Sequence, residues 1–265
     1  MDPMDSTTYK EIFQQPQAFL AVNQDLELIR QTVQDVFSRR KIGQVIFTGC
    51  GTSLYLAQTA AALFSHYNSV KAQAVPCSEL YFHPQLYISG GETLVCPITR
   101  KSVTTEVRLA IKRVHEFPNV QSLAITCCSG SREYNEDMIL SSDANEDSVV
   151  MTKSFTSMVY LCAILAMTAG GRDGELEQMA AEIPGLCRRA LPDLDSLARR
   201  ILAEHPKTSV PPLLVRYAPQ ERNIPVITAF RRSPGSIRRP PGPRCRSRGT
   251  AGGSPARPPA PGAEP

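Results

Sequence analysis

The most constraining feature of this chain is the order of three segments between Val45 and Tyr67. Val45-Ile46-Phe47 is a short continuous apolar run. Gly49-Cys50-Gly51-Thr52-Ser53 is a turn of small residues, and Ser53 to Tyr67 is rich in Ala. A strand that is apolar without alternation has to be covered on both faces, which is the situation of a parallel strand in an α/β protein. The Ala-rich stretch supplies the helix that such a sheet needs on its connections. The turn between them allows close approach of the backbone to a ligand. A helix opening just behind it, with Ser53 expected as its cap, offers N–H groups and the positive end of its dipole to an anion. The same residues also suit an ordinary strand–helix turn, so this loop does not decide the function by itself.

The pattern then repeats. Val70 to Val75, Thr93 to Ile98, Val120 to Cys127 and Met138 to Leu140 read as further strands, with helices over Thr105–His115, 152–169, about 175–189 and 192–204. Residues 19–40 place Leu20, Ile29, Val33 and Phe37 on helical spacing, ahead of a break at Gly43. Alternating strands and helices predict an α/β domain with a parallel sheet. Ligands of such sheets sit at the C-terminal ends of the strands. The segments to watch are therefore 48–53, 99–104 and the stretch leading to Thr152. The expected organisation is a polar lead-in over 1–18, one domain over 19–205, a weakly structured Pro-containing extension over 206–230 and a disordered tail over 231–265 rich in Pro and Arg.

Charge supports the same division. The tail holds eight of the 29 basic residues and one of the 25 acidic residues, leaving 21 basic and 24 acidic residues in the remainder. The body is slightly acidic, which argues against a nucleic-acid surface. The longest apolar segment, Phe155 to Ala169, is shorter than the ~20 residues of a membrane span and reads as a buried helix. The chain opens on an acidic, polar stretch instead of a signal peptide, and cytoplasm is the expected compartment. Eight Cys form no Cys-x-x-Cys pair and the four His are scattered, so buried free thiols are expected, with no metal site and no cofactor.

Two further segments carry chemistry. Thr99-Arg100-Lys101-Ser102-Val103-Thr104 follows an apolar strand and opens a helix, combining three hydroxyls and two cations in a phosphate-site arrangement that a solvated charged cap would also satisfy. Glu146 to Thr156 ends in Thr152-Lys153-Ser154-Phe155-Thr156, which reads equally as a helix start capped by Thr152. Glu79, after the second strand, is a weak acid–base candidate and fits a structural carboxylate better.

In order along the chain, Lys10 to Ala18, Cys50-Gly51-Thr52-Ser53, Ser78-Glu79-Leu80 and Thr152-Lys153-Ser154-Phe155-Thr156 resemble the first sugar isomerase (SIS) domain of glutamine–fructose-6-phosphate aminotransferases and related phosphosugar isomerases. The resemblance runs from about residue 9 to about residue 205. It implies a three-layer α-β-α fold with a five-stranded parallel sheet, a hexose 6-phosphate or amino-sugar phosphate as ligand, and a homodimer. It implies sugar contacts from the first loop, Cys50 to Ser53, with Thr52 and Ser53 foremost, and from Val149 and Met151. It implies phosphate contacts from Thr99, Arg100, Lys101, Ser102 and Thr104.

The second loop departs from the family pattern Ser-x-Ser-Gly-Glu/Asp-Thr. Lys101 replaces a Ser, Ser102 the Gly and Val103 the acidic residue. A Cβ at the Gly position is expected to hinder approach to the phosphate, whereas the added cation either compensates or fills the space. Beyond residue 205 no second loop of this kind follows, and no Cys stands at residue 2, so amide transfer from glutamine is not expected. The end of the chain reads as native, truncated or frame-shifted alike. Phosphosugar binding is the first expectation. A ketose–aldose isomerase or amino-sugar-phosphate deaminase is the alternative, and a non-enzymatic regulator a third.

Overall fold

Continuous burial of short apolar runs builds the sheet. The computed structural model describes residues 6–88 and 90–204; the extension at 206–230 and the tail at 231–265 lie outside the described residues. Strands β1 (Gln44–Gly49), β3 (Thr93–Thr99) and β4 (Val120–Thr126) are buried at every position, with β2 (Lys71–Pro76) and β5 (Asp137–Leu140) at the two edges. The order is β2-β1-β3-β4-β5 and every pairing is parallel. Each parallel connection crosses over, and helices cover both faces: α1 (Thr7–Phe13), α2 (Gln15–Gln24), α3 (Leu26–Arg39), α4 (Thr52–Tyr67), α5 (Cys77–Phe82), α6 (Thr105–Val114), α7 (Lys153–Ala169) and α8 (Asp173–Glu204).

Strand periodicity splits the core into two layers. Val45, Phe47, Leu94 and Cys96 face a cluster with α2, α3, α4 and α7, whereas Ile46 and Val95 face Leu80 of α5 and Val107 and Ile111 of α6. The expected three-layer α-β-α architecture with five parallel strands is the observed one. The apolar segment from Phe155 onward is the buried α7, and among the described residues no helix is long and apolar enough to cross a membrane.

Three boundaries differ from the sequence reading. The helix expected over 19–40 is two helices separated at Asp25. Residues 7–18, expected as a lead-in, are helical, and α2 packs along α7 and α8. The two stretches at 175–189 and 192–204 form one helix, α8, which runs through Pro184 and Pro192.

Candidate functional site

The strand order reverses between β1 and β3, because one connection leads outward to β2 and the next returns to the other side of β1. Loops leaving the two strands at such a switch point diverge and leave a crevice at the strand C-termini. A cavity of about 910 Å³ opens there, lined from the first loop by Cys50, Thr52 and Ser53, from the second by Thr99, Arg100, Lys101 and Thr104, and from the third segment by Val149 and Met151. Nine of the residues expected at a ligand site thus share one cavity. Gly51, Ser102 and Glu79 do not line it. Glu79 lies on α5, where its Oε2 accepts a bond from the Tyr87 hydroxyl (3.2 Å).

The first loop depends on its glycines. A Cβ on Gly49 would lie 2.6 Å from the backbone of Ser53, so only Gly lets α4 start this close to the end of β1. Gly51 turns the chain with φ 54°. Ser53 does not cap α4 as expected. The helix begins at Thr52 behind Gly51 with no side-chain cap, and Ser53 is buried inside its first turn. Cys50 is a neutral thiol, its pKa raised chiefly by burial, despite a bond from Cys77 that acts the other way.

The second loop resolves the question posed by its lost glycine. Ser102 adopts φ 59°, the left-handed conformation a glycine would supply. Its side chain turns away from the cavity into a buried hydroxyl cluster, bonded with Thr126 Oγ1 (3.2 Å) and Ser131 Oγ. The extra Cβ therefore does not enter the cavity, contrary to the hindrance expected. Thr104 sits at the N-terminus of α6 without a side-chain cap bond. Lys101 makes no hydrogen bond or ion pair with any described residue.

The third segment is held by two buried carboxylates to which sequence reasoning gave no role. Glu146 accepts from Thr152 N and Thr152 Oγ1 (both 2.8 Å) and from Ser154 Oγ, so it caps α7 in place of the Thr152 side chain. Arg100 Nη1 donates to Glu146 Oε1 (3.4 Å) and to the Ser148 carbonyl (2.8 Å), joining the second loop to the third. Glu11, on α1, accepts from Asp147 N (2.6 Å) and Ser148 N. Lys153 Nζ donates to Gln14 Oε1 (2.8 Å) and Thr156 Oγ1 to Gln15 Oε1 (2.9 Å). The stretch Lys10 to Ala18 thereby acquires a physical role as the tether of the third segment, and its Glu-x-x-Gln-Gln spacing was the signal for it.

The remaining walls come from elements that the sequence did not tie to the site. Tyr9 and Phe13 of α1 and Leu191, Leu194 and Arg199 of α8 close the cavity on its outer side. Arg199 Nε donates to Asp195 Oδ2 (2.8 Å) and its guanidinium lies over the Tyr9 ring. Asp195 is the one carboxylate among the described lining residues, and Arg199 engages it. Among the described residues no group of three or more His, Cys, Asp or Glu is placed to hold a metal ion.

A doubly wound α/β domain with a cation-edged cavity at its switch point is the class of protein defined by this geometry. Residues 39–168 match the model of the SIS domain family, and the chain carries a SIS domain. It is 28% identical over 174 residues to D-galactosamine-6-phosphate deaminase of Shewanella sp. ANA-3, covering 60% of this chain and 45% of that protein. It is 23% identical over 197 residues to glutamine–fructose-6-phosphate aminotransferase (isomerizing) of Bartonella henselae, covering 69% and 32%. The chain thus spans about half or less of the length of these relatives. Among solved structures, tagatose-6-phosphate ketose/aldose isomerase from Escherichia coli superposes with a TM-score of 0.63 at 19% identity, covering 75% of this chain and 56% of that one. Glucosamine-6-phosphate deaminase from Thermotoga maritima superposes with a TM-score of 0.51 at 26% identity, covering 68% and 54%.

Proposed function

We propose that this chain binds a phosphorylated sugar of the hexose 6-phosphate or amino-sugar phosphate class in the cavity between the β1 and β3 loops. The observation that carries the reading is the convergence of three separate loops on one cavity, with Lys101, unpaired among the described residues, beside the start of α6, which has no side-chain cap. The phosphate would meet Lys101, the Thr99 and Thr104 hydroxyls and the first N–H groups of α6, a combination of charge and aligned donors suited to a dianion. The sugar would lie toward Thr52, Ser53 and the Val149–Met151 backbone. Arg100 serves chiefly as a positioning group, since its guanidinium ties Glu146 and Ser148. The names of the similar proteins, all acting on sugar phosphates, favour the same ligand class.

Isomerisation or deamination would require a group that moves a proton between adjacent carbons; the one carboxylate among the described lining residues, Asp195, is held by Arg199. A thermal-shift titration with fructose 6-phosphate and glucosamine 6-phosphate, against the unphosphorylated sugars, tests the proposal. Stabilisation by the phosphorylated compounds alone is expected, growing by about 1.4 kcal/mol per tenfold excess over Kd. Equal responses to fructose and fructose 6-phosphate, or none to either, would overturn it.

A further inference from the structure

The wall of the cavity holds a pair of thiols for which sugar-phosphate binding has no use. Strands β1 and β2 are parallel neighbours, and Gly49 of one is in register with Pro76 of the other. The next residue on each is a cysteine, Cys50 and Cys77. Neighbouring strands lie about 4.8 Å apart, inside the Cα separation of roughly 4.4–6.8 Å that a disulfide spans. The two side chains also point the same way. Cys77 Sγ lies 3.3 Å from Thr48 Oγ1, so its sulfur reaches across to β1. Cys50 packs against the core layer to which Cys77 belongs, the one covered by α5 and α6. The two thiols are hydrogen-bonded to each other.

Access separates this pair from the other thiols. Cys50 is half-buried and lines the cavity, whereas Cys77 is 1% exposed. Cys96 and Cys162 also interact, but both are buried and neither lines the cavity. Cys187 is half-buried on α8. A small oxidant that enters the cavity therefore meets a thiol whose partner is already in contact with it.

We propose that Cys50 and Cys77 form a redox-modification site, which a hydroperoxide diffusing into the cavity converts to a disulfide that ties the first loop to the start of α5. The Cys50 thiol gives up its proton and its sulfur attacks one peroxide oxygen. The O–O bond breaks, leaving Cys50 as a sulfenic acid and releasing hydroxide, which takes up the proton as water. The Cys77 sulfur then displaces hydroxide from the Cys50 sulfur. The S–S bond forms, and the hydroxide leaves with the Cys77 proton as a second water. Two electrons pass from the two thiols to one peroxide. Burial disfavours the Cys50 thiolate, so the first step sets the rate and quickens with pH. The bond fixes the loop that turns at Gly51 into α4 and removes a thiol from the cavity wall. This chemistry needs the cavity as a route of access, whatever ligand binds there.

Peptide mapping by mass spectrometry of the folded full chain, treated with hydrogen peroxide and then alkylated, tests the site. A link joining Cys50 to Cys77 is expected, reversed by dithiothreitol and forming about tenfold faster for each pH unit between pH 7 and 8.5. Cys77→Ala leaves the Cys50 sulfenic acid without a resolving thiol. Its capture by dimedone should then rise about tenfold over the unsubstituted chain. That gain is a positive signal, which misfolding of the variant does not imitate if the thermal transition is retained. Oxidation at Cys187 with Cys50 still a free thiol, accumulation of Cys50 sulfenic acid in the unsubstituted chain without the link, or a link that forms only in urea overturns the site.

Discussion

Ser102 concentrates two opposing effects in one residue. A non-glycine residue in the left-handed region costs roughly 1 kcal/mol, and here the cost accompanies a buried hydroxyl bonded to Thr126 and Ser131. Ser102→Gly relieves the backbone and loses the hydroxyl, whereas Ser102→Ala keeps the strain and loses the hydroxyl as well. Ser102→Ala should therefore be destabilised by about 1–2 kcal/mol, and Ser102→Gly by distinctly less, in urea unfolding of the two variants. Equal losses would mean that the backbone at 102 is unstrained. The residue types of the loop were legible in the sequence, because three hydroxyls and two cations between a strand and a helix have few uses. The direction of the Ser102 side chain was not, since its partners lie on the β4 side of the sheet, at 126 and 131. A long-range partner also hid the role of Glu11, which accepts from the segment at 147–148, whereas Glu146 is filled chiefly by Thr152 and Ser154 of its own segment and joined to the second loop by Arg100.

Proline decides what was legible at the scale of elements. The three central strands could be read because each is a short apolar run that burial alone defines, and the two edge strands because they fall at the spacing of the alternating pattern. Helix α8 was read in two pieces that divide just before Pro192, where a proline signals a break, although the first piece already ran through Pro184. Pro184 has no N–H to offer the Ala180 carbonyl four residues earlier. Asn23 of α2 fills that role, its Nδ2 donating to Ala180 O at 2.8 Å, while its Oδ1 accepts from the Tyr160 hydroxyl at 2.6 Å. A tertiary contact thus replaces the missing helical bond, and α8 continues far enough for Leu191, Leu194 and Arg199 to reach the cavity. This compensation predicts non-additivity. Asn23→Ala should cost about 1–3 kcal/mol by leaving Ala180 O without a donor, and the loss should shrink by about 1 kcal/mol when Pro184→Ala restores the helical N–H. The Tyr160 bond is lost in both backgrounds and cancels in the cycle. Strict additivity of the two substitutions in denaturant unfolding would show that Asn23 does not serve the helix.

At the scale of the whole molecule, the core of the described residues holds four buried free thiols, Cys77, Cys96, Cys127 and Cys162, and these should weaken the fold at alkaline pH. Burial raises Cys77, Cys127 and Cys162 from 9.0 to about 12, with Glu146 reinforcing the effect at Cys127 and the Thr48 hydroxyl opposing it at Cys77. Cys96 is raised as well, by its complete burial first and by Cys162 second. Well below pH 9 these thiols are neutral in the folded and unfolded chains alike, and stability does not depend on their ionisation. Above pH 9 the unfolded chain releases protons that the folded chain retains, so stability falls as pH rises toward 12. Each fully buried thiol contributes a slope of up to about 1.4 kcal/mol per pH unit. Urea midpoints measured under reducing conditions should be level with respect to these thiols from about pH 6.5 to 7.5, begin to fall near pH 8.5 and decline steeply between about pH 9.5 and 11. Cys162→Ala, which removes one titrating group from α7, should lower stability at neutral pH by about 1 kcal/mol and make the alkaline decline shallower. A decline of unchanged steepness in that variant would assign the alkaline transition to groups other than the buried thiols.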